Sequence, residues 1–440
     1  MRNRLFEQID NSPLIIFRIF LGFLLACESF GAMFTGWVHN NLIKPKFTFS
    51  HIGMDWLQPL PGNWMYVYFG VMGTCGLLTM MGYKYRWSLG GFTILWAGVY
   101  YMQKTSYNNH YYLLVLVCLI MLLLPANRYY SVDVLQKPEK RRLTMSAWCS
   151  WVMIAQMAIV YFYATLAKFY PGWLDGTFSK LLMLQSIHGS FINIATQPWF
   201  YLFIAYAGIA FDMLVVPLLL FRKTRTIALL ASLVFHLFNS ITLHIGIFPF
   251  FALSFVVFFY PPDKIRRIFF KKKPVVTDHT PTYERSGIFK YIFIPYLIIQ
   301  ILLPLRHYAI KGDVLWTEEG HRLSWRMMLR FRDGTIKFRI IDKKTGQQLF
   351  YNPHKDLTRK QYNTMAVKPD MIWQMCRRIK KDFKAKGHDV AVYVDSWASI
   401  NNGPTKQLID PTVDIAAAKW NYFFHDDWVL LYDEQGNRIK

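Results

Sequence analysis

Residues 147–168 read AWCSWVMIAQMAIVYFYATLAK. The stretch carries no charge until Lys168, and its only polar members are single Ser, Gln and Thr residues apart from two tyrosines. About 20 mostly apolar residues suffice to cross the hydrocarbon core of a bilayer as one helix. A helix this long on the surface of a soluble protein would need a polar face, and this one has none. It therefore reads as a transmembrane helix. Working outward from it, comparable runs occupy 13–36, 64–83, 87–103, 109–126, 197–221, 226–246, 248–262 and 287–305, which predicts nine spans. The run at 13–36 follows Arg2 and Arg4 as a signal peptide would. It is too long for one and lacks a small-residue cleavage site, so it is read as a helix of the protein.

The composition agrees. Of 440 residues, 53% are hydrophobic and only 18% charged, against about a quarter charged in soluble domains. Nearly all the apolar runs precede residue 305. This argues against a cytosolic enzyme, a disordered chain or a coiled coil. The fold class is a multi-span α-helical membrane protein, with about nine transmembrane helices and a C-terminal extracytoplasmic α+β domain. The boundary is read as 1–305 for the helical domain and 306–440 for the outer one. The five cysteines show no CxxC spacing, so neither a zinc site nor a disulfide framework is expected, and no metal is assigned.

The net charge of +23 could suggest nucleic acid, but its placement points elsewhere. Clusters fall at Arg2/Arg4, Lys84/Arg86, Arg128 to Arg142, Arg222/Lys223/Arg225 and Lys264 to Lys273. With nine alternating spans all of them share one side, which holds 19 Lys and Arg, against four (Lys44, Lys46, Lys104 and Lys180) on the other. The positive-inside rule makes that side cytoplasmic. The N-terminus is then cytoplasmic and the C-terminal domain outside, with the bilayer rather than nucleic acid as partner. In that domain, Arg332-Asp333-Gly334 reads as a hairpin turn. Residues 336–341 and 390–397 read as strands, and 359–386 as helical.

Ionisable groups inside a bilayer are costly and are functional candidates by default. Lys168 ends its span, and Tyr161, Thr165 and Lys168 share one helical face. The plain reading of Lys168 is a snorkelling interfacial lysine. The sharper one is a desolvated lysine, because apolar burial favours a neutral amine that can act as a base. Asn109 and His110 open another span at the same outer level, with an N-cap as the plain reading. His236, Ser240 and His244, with Asn239 beside them, form a polar stripe that should face protein or a cavity. Arg18 and Asp212 lie near the middle or on the inner half of two other spans, which reads as a structural ion pair or hydrogen-bonded network.

Further matches run in order from about residue 12 to about residue 420. They include Gln103-Lys104-Thr105-Ser106-Tyr107-Asn108-Asn109-His110, Arg128 to Asp133, and Val160 to Ala164 with Lys168, Trp173 and Gly176. Phe235-His236, Asn239-Ser240, Trp316-Thr317, Ser324-Trp325, Asp395, Trp397 to Asn401 and Asp410-Pro411 extend the series. Together they resemble the vitamin K-dependent gamma-glutamyl carboxylase family. The shorter bacterial members, often called horizontally transferred transmembrane-domain proteins, are the most similar. Two departures are Ala167, where the animal enzyme has a second lysine, and Arg326, where it has an acid.

The resemblance implies that Lys168 deprotonates a reduced vitamin K or menaquinol. O2 then converts the quinol to its epoxide through a strongly basic alkoxide. That base takes a γ-proton from peptidyl glutamate, and CO2 traps the carbanion. A γ-methylene proton is too weakly acidic for any side-chain base, so such an enzyme must generate a stronger one away from water. His110 and Asn109 are implied as further catalytic residues. His236, Asn239, Tyr161, Trp397 and Trp325 are expected to bind substrate. A glutamate-containing secreted or periplasmic protein is the implied partner, and the inner cell membrane the implied location. Two alternatives stay open: a quinol epoxidase or oxygenase that does not carboxylate peptides, and a non-enzymatic membrane binding or transport protein.

Overall fold

The computed structural model describes residues 2–187, 192–243, 246–433 and 435–439. They form two compact units. One takes Met1–Val38, Asn63–Gly98 and His110–Leu302, and the other takes His39–Gly62, Val99–Asn109 and Leu303–Lys440. Residues 39–62, between the first two predicted spans, and 99–109, which include the end of the predicted span 87–103, thus fold with the C-terminal region. Phe47 and Phe49 explain the first of these, since both belong to that unit's buried core.

The helical unit is built on α1 (Ser12–Phe34), α2 (Trp64–Met81), α3 (Tyr85–Met102), α4 (Asn109–Leu123), α5 (Trp148–Ala167), α6 (Pro198–Leu220), α7 (Arg225–Leu243), α8 (Phe248–Phe258) and α9 (Ser286–Ala309). Among the described residues, six are long and apolar enough to cross a membrane: α1, α2, α5, α6, α7 and α9. Helices α4 and α8 are apolar but shorter. Small residues let α1 and α2 touch backbone to backbone, as membrane helices commonly do. A Cβ on Gly22 would lie 2.3 Å from the Met80 nitrogen, and one on Gly76 would lie 2.7 Å from the Ala26 nitrogen.

One end of this unit gathers the basic loops. Residues Gln8–Asp10 pair antiparallel with Thr144–Ser146. The Asn11 amide donates to the Arg142 carbonyl at 2.9 Å, and the Lys84 backbone N–H donates to Asp133 Oδ1 at 2.7 Å. Fully buried Lys273 donates to Asp10 Oδ1 at 2.5 Å, Asn11 Oδ1 at 2.6 Å and Ser12 Oγ at 3.0 Å. The Arg18 guanidinium reaches the same end, donating to the carbonyls of Ala126 at 3.0 Å and Tyr130 at 2.6 Å.

The second unit centres on an antiparallel sheet with the strand order Gln348–Leu349 (β2), Arg332–Asp342 (β1), Val390–Ile400 (β3) and Lys406–Gln407 (β4). Ile336 and Ile340 alternate inward along β1, as their spacing requires. The expected hairpin turn at Arg332-Asp333-Gly334 does not form: these residues begin β1 and pair with Ile400, Ser399 and Ala398. Gly334 serves close packing there, because a Cβ would lie 2.5 Å from the Trp397 carbonyl oxygen. The predicted helix over 359–386 is two helices, Arg359–Met365 and Pro369–Ala385 (α10). The break falls at Lys368, the residue before a proline, where helical backbone is disfavoured.

Candidate active site

Lys168 caps α5, with its backbone N–H on the Thr165 carbonyl at 3.0 Å. The chain then turns through Pro171–Leu174 to Gly176, whose φ of +79° and contact with Tyr201 leave no room for a side chain. This turn brings the Trp173 indole to within 5.1 Å of Lys168 Nζ, and Trp173 Nε1 is anchored on the Ala205 carbonyl at 3.0 Å. The Lys168 ammonium donates to Asp212 Oδ2, and these residues are only 8% and 7% exposed. Lys168 is therefore desolvated inside the protein rather than snorkelling. Helical side chains lean toward the N-terminus of their own helix, so Lys168 reaches back along α5 to an acid that sequence depth puts farther in. Asp212 is the partner of Lys168, and the two terminal nitrogens of Arg18 donate to carbonyls instead.

Tyr161, two turns before Lys168, places its hydroxyl 3.2 Å from His236 Nε2 on α7. His236 Nδ1 is buried with no partner among the described residues. Phe211, next to Asp212, stacks on Phe235 with ring centroids 3.8 Å apart and meets the His236 ring edge-on. Phe248 continues the array. It packs against His236 at 6.3 Å and stacks on His110 at 3.6 Å. Four predicted residues, Lys168, Tyr161, His236 and His110, thus join one aromatic and polar array in the helical unit. A narrow crevice beside it has room for about one water, about 10 Å³, between Tyr161, His236, Met157, Val215, Phe255 and Phe259. Asn239 and Ser240 are half-buried one turn beyond His236. His244 lies outside the described residues.

The other predicted residues belong to the second unit and do not converge. Asn109 is buried. Its amide donates to the Arg326 carbonyl at 3.0 Å, and its side-chain oxygen accepts from the Tyr107 hydroxyl at 3.1 Å. Trp325 is fully buried at a φ of +57°, whereas Trp397 is 41% exposed and donates to Asp395 Oδ1 at 2.8 Å. This unit holds a polar cavity of about 290 Å³ lined by His51, Lys104, Glu318, Arg322, Asp370 and Tyr422, among others. Asp370 Oδ2 accepts from Lys104 at 2.5 Å and from Arg322 at 2.7 Å. Burial pulls the Lys104 ammonium down to about 8 in spite of Asp370. Burial would raise the Asp370 carboxyl, but Arg322 and Lys104 hold it well below the usual carboxylate range. Burial, then the Arg322 and Lys104 charges, push His51 down to about 3, so its ring is neutral. Glu318 and Leu323, which line this cavity, and Trp325 and Met328, which follow in sequence, all take positive φ. Such stored strain clusters at functional sites.

A family model of the HTTM domain matches residues 6–264, and one of the lumenal domain of vitamin K-dependent gamma-carboxylase matches residues 285–435. The chain belongs to the vitamin K-dependent gamma-carboxylase family. It is a multi-pass helical membrane protein, and the family's domains imply a gamma-glutamyl carboxylase-like enzyme using vitamin K hydroquinone, O2 and CO2. No solved structure matches the chain.

Two features of this gamma-carboxylase family member escape sequence reasoning. The Lys104, Arg322 and Asp370 cluster is assembled from residues up to 266 positions apart, and nothing local announces it. Glu28 leaves a signal, as a lone acid inside a span. Its carboxyl bonds to Tyr111, the neighbour of His110, and Glu28 Oε2 lies 3.7 Å from where a Gly246 Cβ would be.

Proposed function

We propose that this protein is a quinol-dependent gamma-glutamyl carboxylase whose base is Lys168. The observation that carries the reading is a buried amine, held by one carboxylate (Asp212) and capping the helix of Tyr161, which with His236 gives polar tips to a mostly apolar crevice. A quinol ring suits such walls, and the open His236 Nδ1 supplies a contact for a ring oxygen. The crevice must widen to admit the ring. Lys168 and Asp212 together hold the proton inventory: when the amine is neutral, it takes the quinol hydroxyl proton. Oxygenation of the quinolate to the epoxide then supplies the strong base for the γ-proton. The apolar surroundings protect that base from water. His110, stacked on Phe248, is read as stabilising the glutamate-derived anion, with Asn109 beside it in sequence. The cavity at Lys104 and Arg322 is read as a place where a carboxylate of the peptide binds within the second unit.

Nine spans with a cytoplasmic N-terminus and an extracytoplasmic second unit complete the proposal. Its support is the charge asymmetry and the meeting of basic loops at one end of the helical unit. The deciding experiment incubates detergent-purified protein with reduced vitamin K, O2, labelled bicarbonate and a glutamate-containing peptide. Epoxide and fixed label, both lost in Lys168→Ala, are expected. Epoxide without label would leave a quinol epoxidase, and neither product from folded protein would overturn the enzyme reading.

A further inference from the structure

A second cleft in the same unit as the sheet shares no lining residue with the polar cavity already described. It has a volume of about 430 Å³ and runs between residues 47–58 and α10. Its walls combine Phe47 and Trp373 with Arg377, Arg378 and Lys381. The Arg377 guanidinium lies 4.7 Å from the Trp373 ring centroid, and Arg378 lies 3.7 Å from that of Phe47. Both forks are therefore braced by aromatic surface while remaining exposed. From Arg377 to Lys384, α10 carries five cations and one acid, Asp382, which lies 3.9 Å from the exposed Arg378 guanidinium, and Asp55 is the acid among the cleft's lining residues.

The charge, the rigidity and one open acceptor of the cleft bear on what it takes. Like charges at i and i+4, as at Arg377 and Lys381, destabilise a helix, and a polyanion relieves that repulsion. The rim is fixed rather than loose. Gln374 Nε2 donates to the Ser50 carbonyl at 3.1 Å and to Asp55 Oδ1 at 3.0 Å, and Gln58 Oε1 accepts from the Thr48 N–H at 2.9 Å. Gln374 Oε1 is buried in this wall with no partner among the described residues. That acceptor suits a peptide N–H.

We propose that this cleft is a docking site for an acidic, extended peptide segment, distinct from the point where a glutamate reacts. Side chains at i and i+2 of an extended peptide lie about 6–7 Å apart. Helical neighbours at i and i+4 are about 5–6 Å apart, so alternate acidic residues can each meet one cation of α10. Each guanidinium fork donates to a carboxylate, and Gln374 Oε1 accepts one peptide N–H. The inference rests on the carboxylase reading for its biological meaning, since a protein presenting glutamates to the reaction would carry such segments.

The test is fluorescence anisotropy of a labelled oligoglutamate peptide against the full chain in detergent. Arg377→Gln/Arg378→Gln is expected to weaken binding at least about tenfold, the effect of about 1.4 kcal/mol. Gln374→Leu is expected to weaken it more mildly without changing the salt dependence. Arg377→Lys keeps the charge but not the fork, and should fall between wild type and the double variant. Unchanged affinity in a double variant that keeps wild-type thermal unfolding overturns the proposal. So does a wild-type protein that ignores the peptide but binds phosphatidylglycerol micelles, which would make the cleft a lipid contact. Quinol epoxidation should be untouched in all these variants. If no label is ever fixed yet the peptide still binds through Arg377 and Arg378, the carboxylase reading fails and the docking site stands.

Discussion

Lys168 and Asp212 lie 44 residues apart on different helices, and the ammonium of one donates to the carboxylate of the other with almost no water contact. Removing one member of a buried pair strands the other charge, which costs about 3–5 kcal/mol, whereas replacing both by apolar residues is often neutral. Asp212→Asn should therefore lower the unfolding temperature in detergent and abolish epoxidation. Lys168→Met/Asp212→Leu should regain the stability and stay inactive. Lys168→Arg should also be inactive, because a guanidinium does not deprotonate in this range. Differential scanning fluorimetry beside epoxide quantification separates the structural role of the pair from the chemical one. Activity in the double variant would remove Lys168 from the mechanism.

The contact between the Tyr161 hydroxyl and His236 Nε2 leaves His236 Nδ1 for a substrate oxygen. One hydrogen bond of this kind is worth about 0.5–1.5 kcal/mol net. His236→Leu should raise the quinol KM by roughly tenfold. Tyr161→Phe should act in the same direction but less, since it removes the group that orients the ring rather than the ring itself. Steady-state epoxidation against quinol concentration checks both. A pure loss of kcat with unchanged KM in His236→Leu would contradict a quinol contact.

Asp370 pairs with two cations, buried Lys104 and half-buried Arg322. Its folded pKa is depressed below the ordinary 3.8. As pH falls, the unfolded chain binds this proton first, so the stabilisation is present above about pH 4 and is lost below it. Unfolding temperatures followed by tryptophan fluorescence should drop through that window in the wild type. Asp370→Asn should be less stable by about 3–5 kcal/mol at neutral pH, with a flatter acid dependence. Lys104 works in the opposite range. Its pKa is about 8 when folded against 10.5 when free, so the unfolded chain holds more protons between those values. Its contribution should make the protein more stable as pH rises from about 8 toward 10.5.

The helical unit was legible because bilayer thickness imposes a length on each apolar run, and every segment from 13–36 to 287–305 is largely helical in the structure. Within it, the shared face of Tyr161 and Lys168 follows from helical spacing alone. Their partners do not. Asp212 could be matched to Arg18 or to Lys168 only with side-chain reach in hand, and the lysine's lean along α5 decides it. The second unit was less legible. Asp333-Gly334 carries the composition of a turn, yet Gly334 is there to let Trp397 and Val367 approach. The recruitment of residues 39–62 and 99–109 is a long-range packing event with no local pattern.

The contact between α1 and α2 gives a prediction with an internal control. A Cβ at Gly22 would sit 2.3 Å from the Met80 nitrogen and 2.6 Å from its Cα. Both are backbone atoms of the facing helix, so no rotamer change can relieve the clash and the helices must separate. Overpacking of this kind costs about 1–3 kcal/mol. Gly31, farther along the same helix, has nothing within 4 Å of its Cβ position. Alanine there gains helix propensity of up to about 1 kcal/mol. Gly22→Ala should therefore lower the unfolding temperature while Gly31→Ala leaves it unchanged or raises it. Equal destabilisation by both would mean that α1 and α2 do not meet at Gly22.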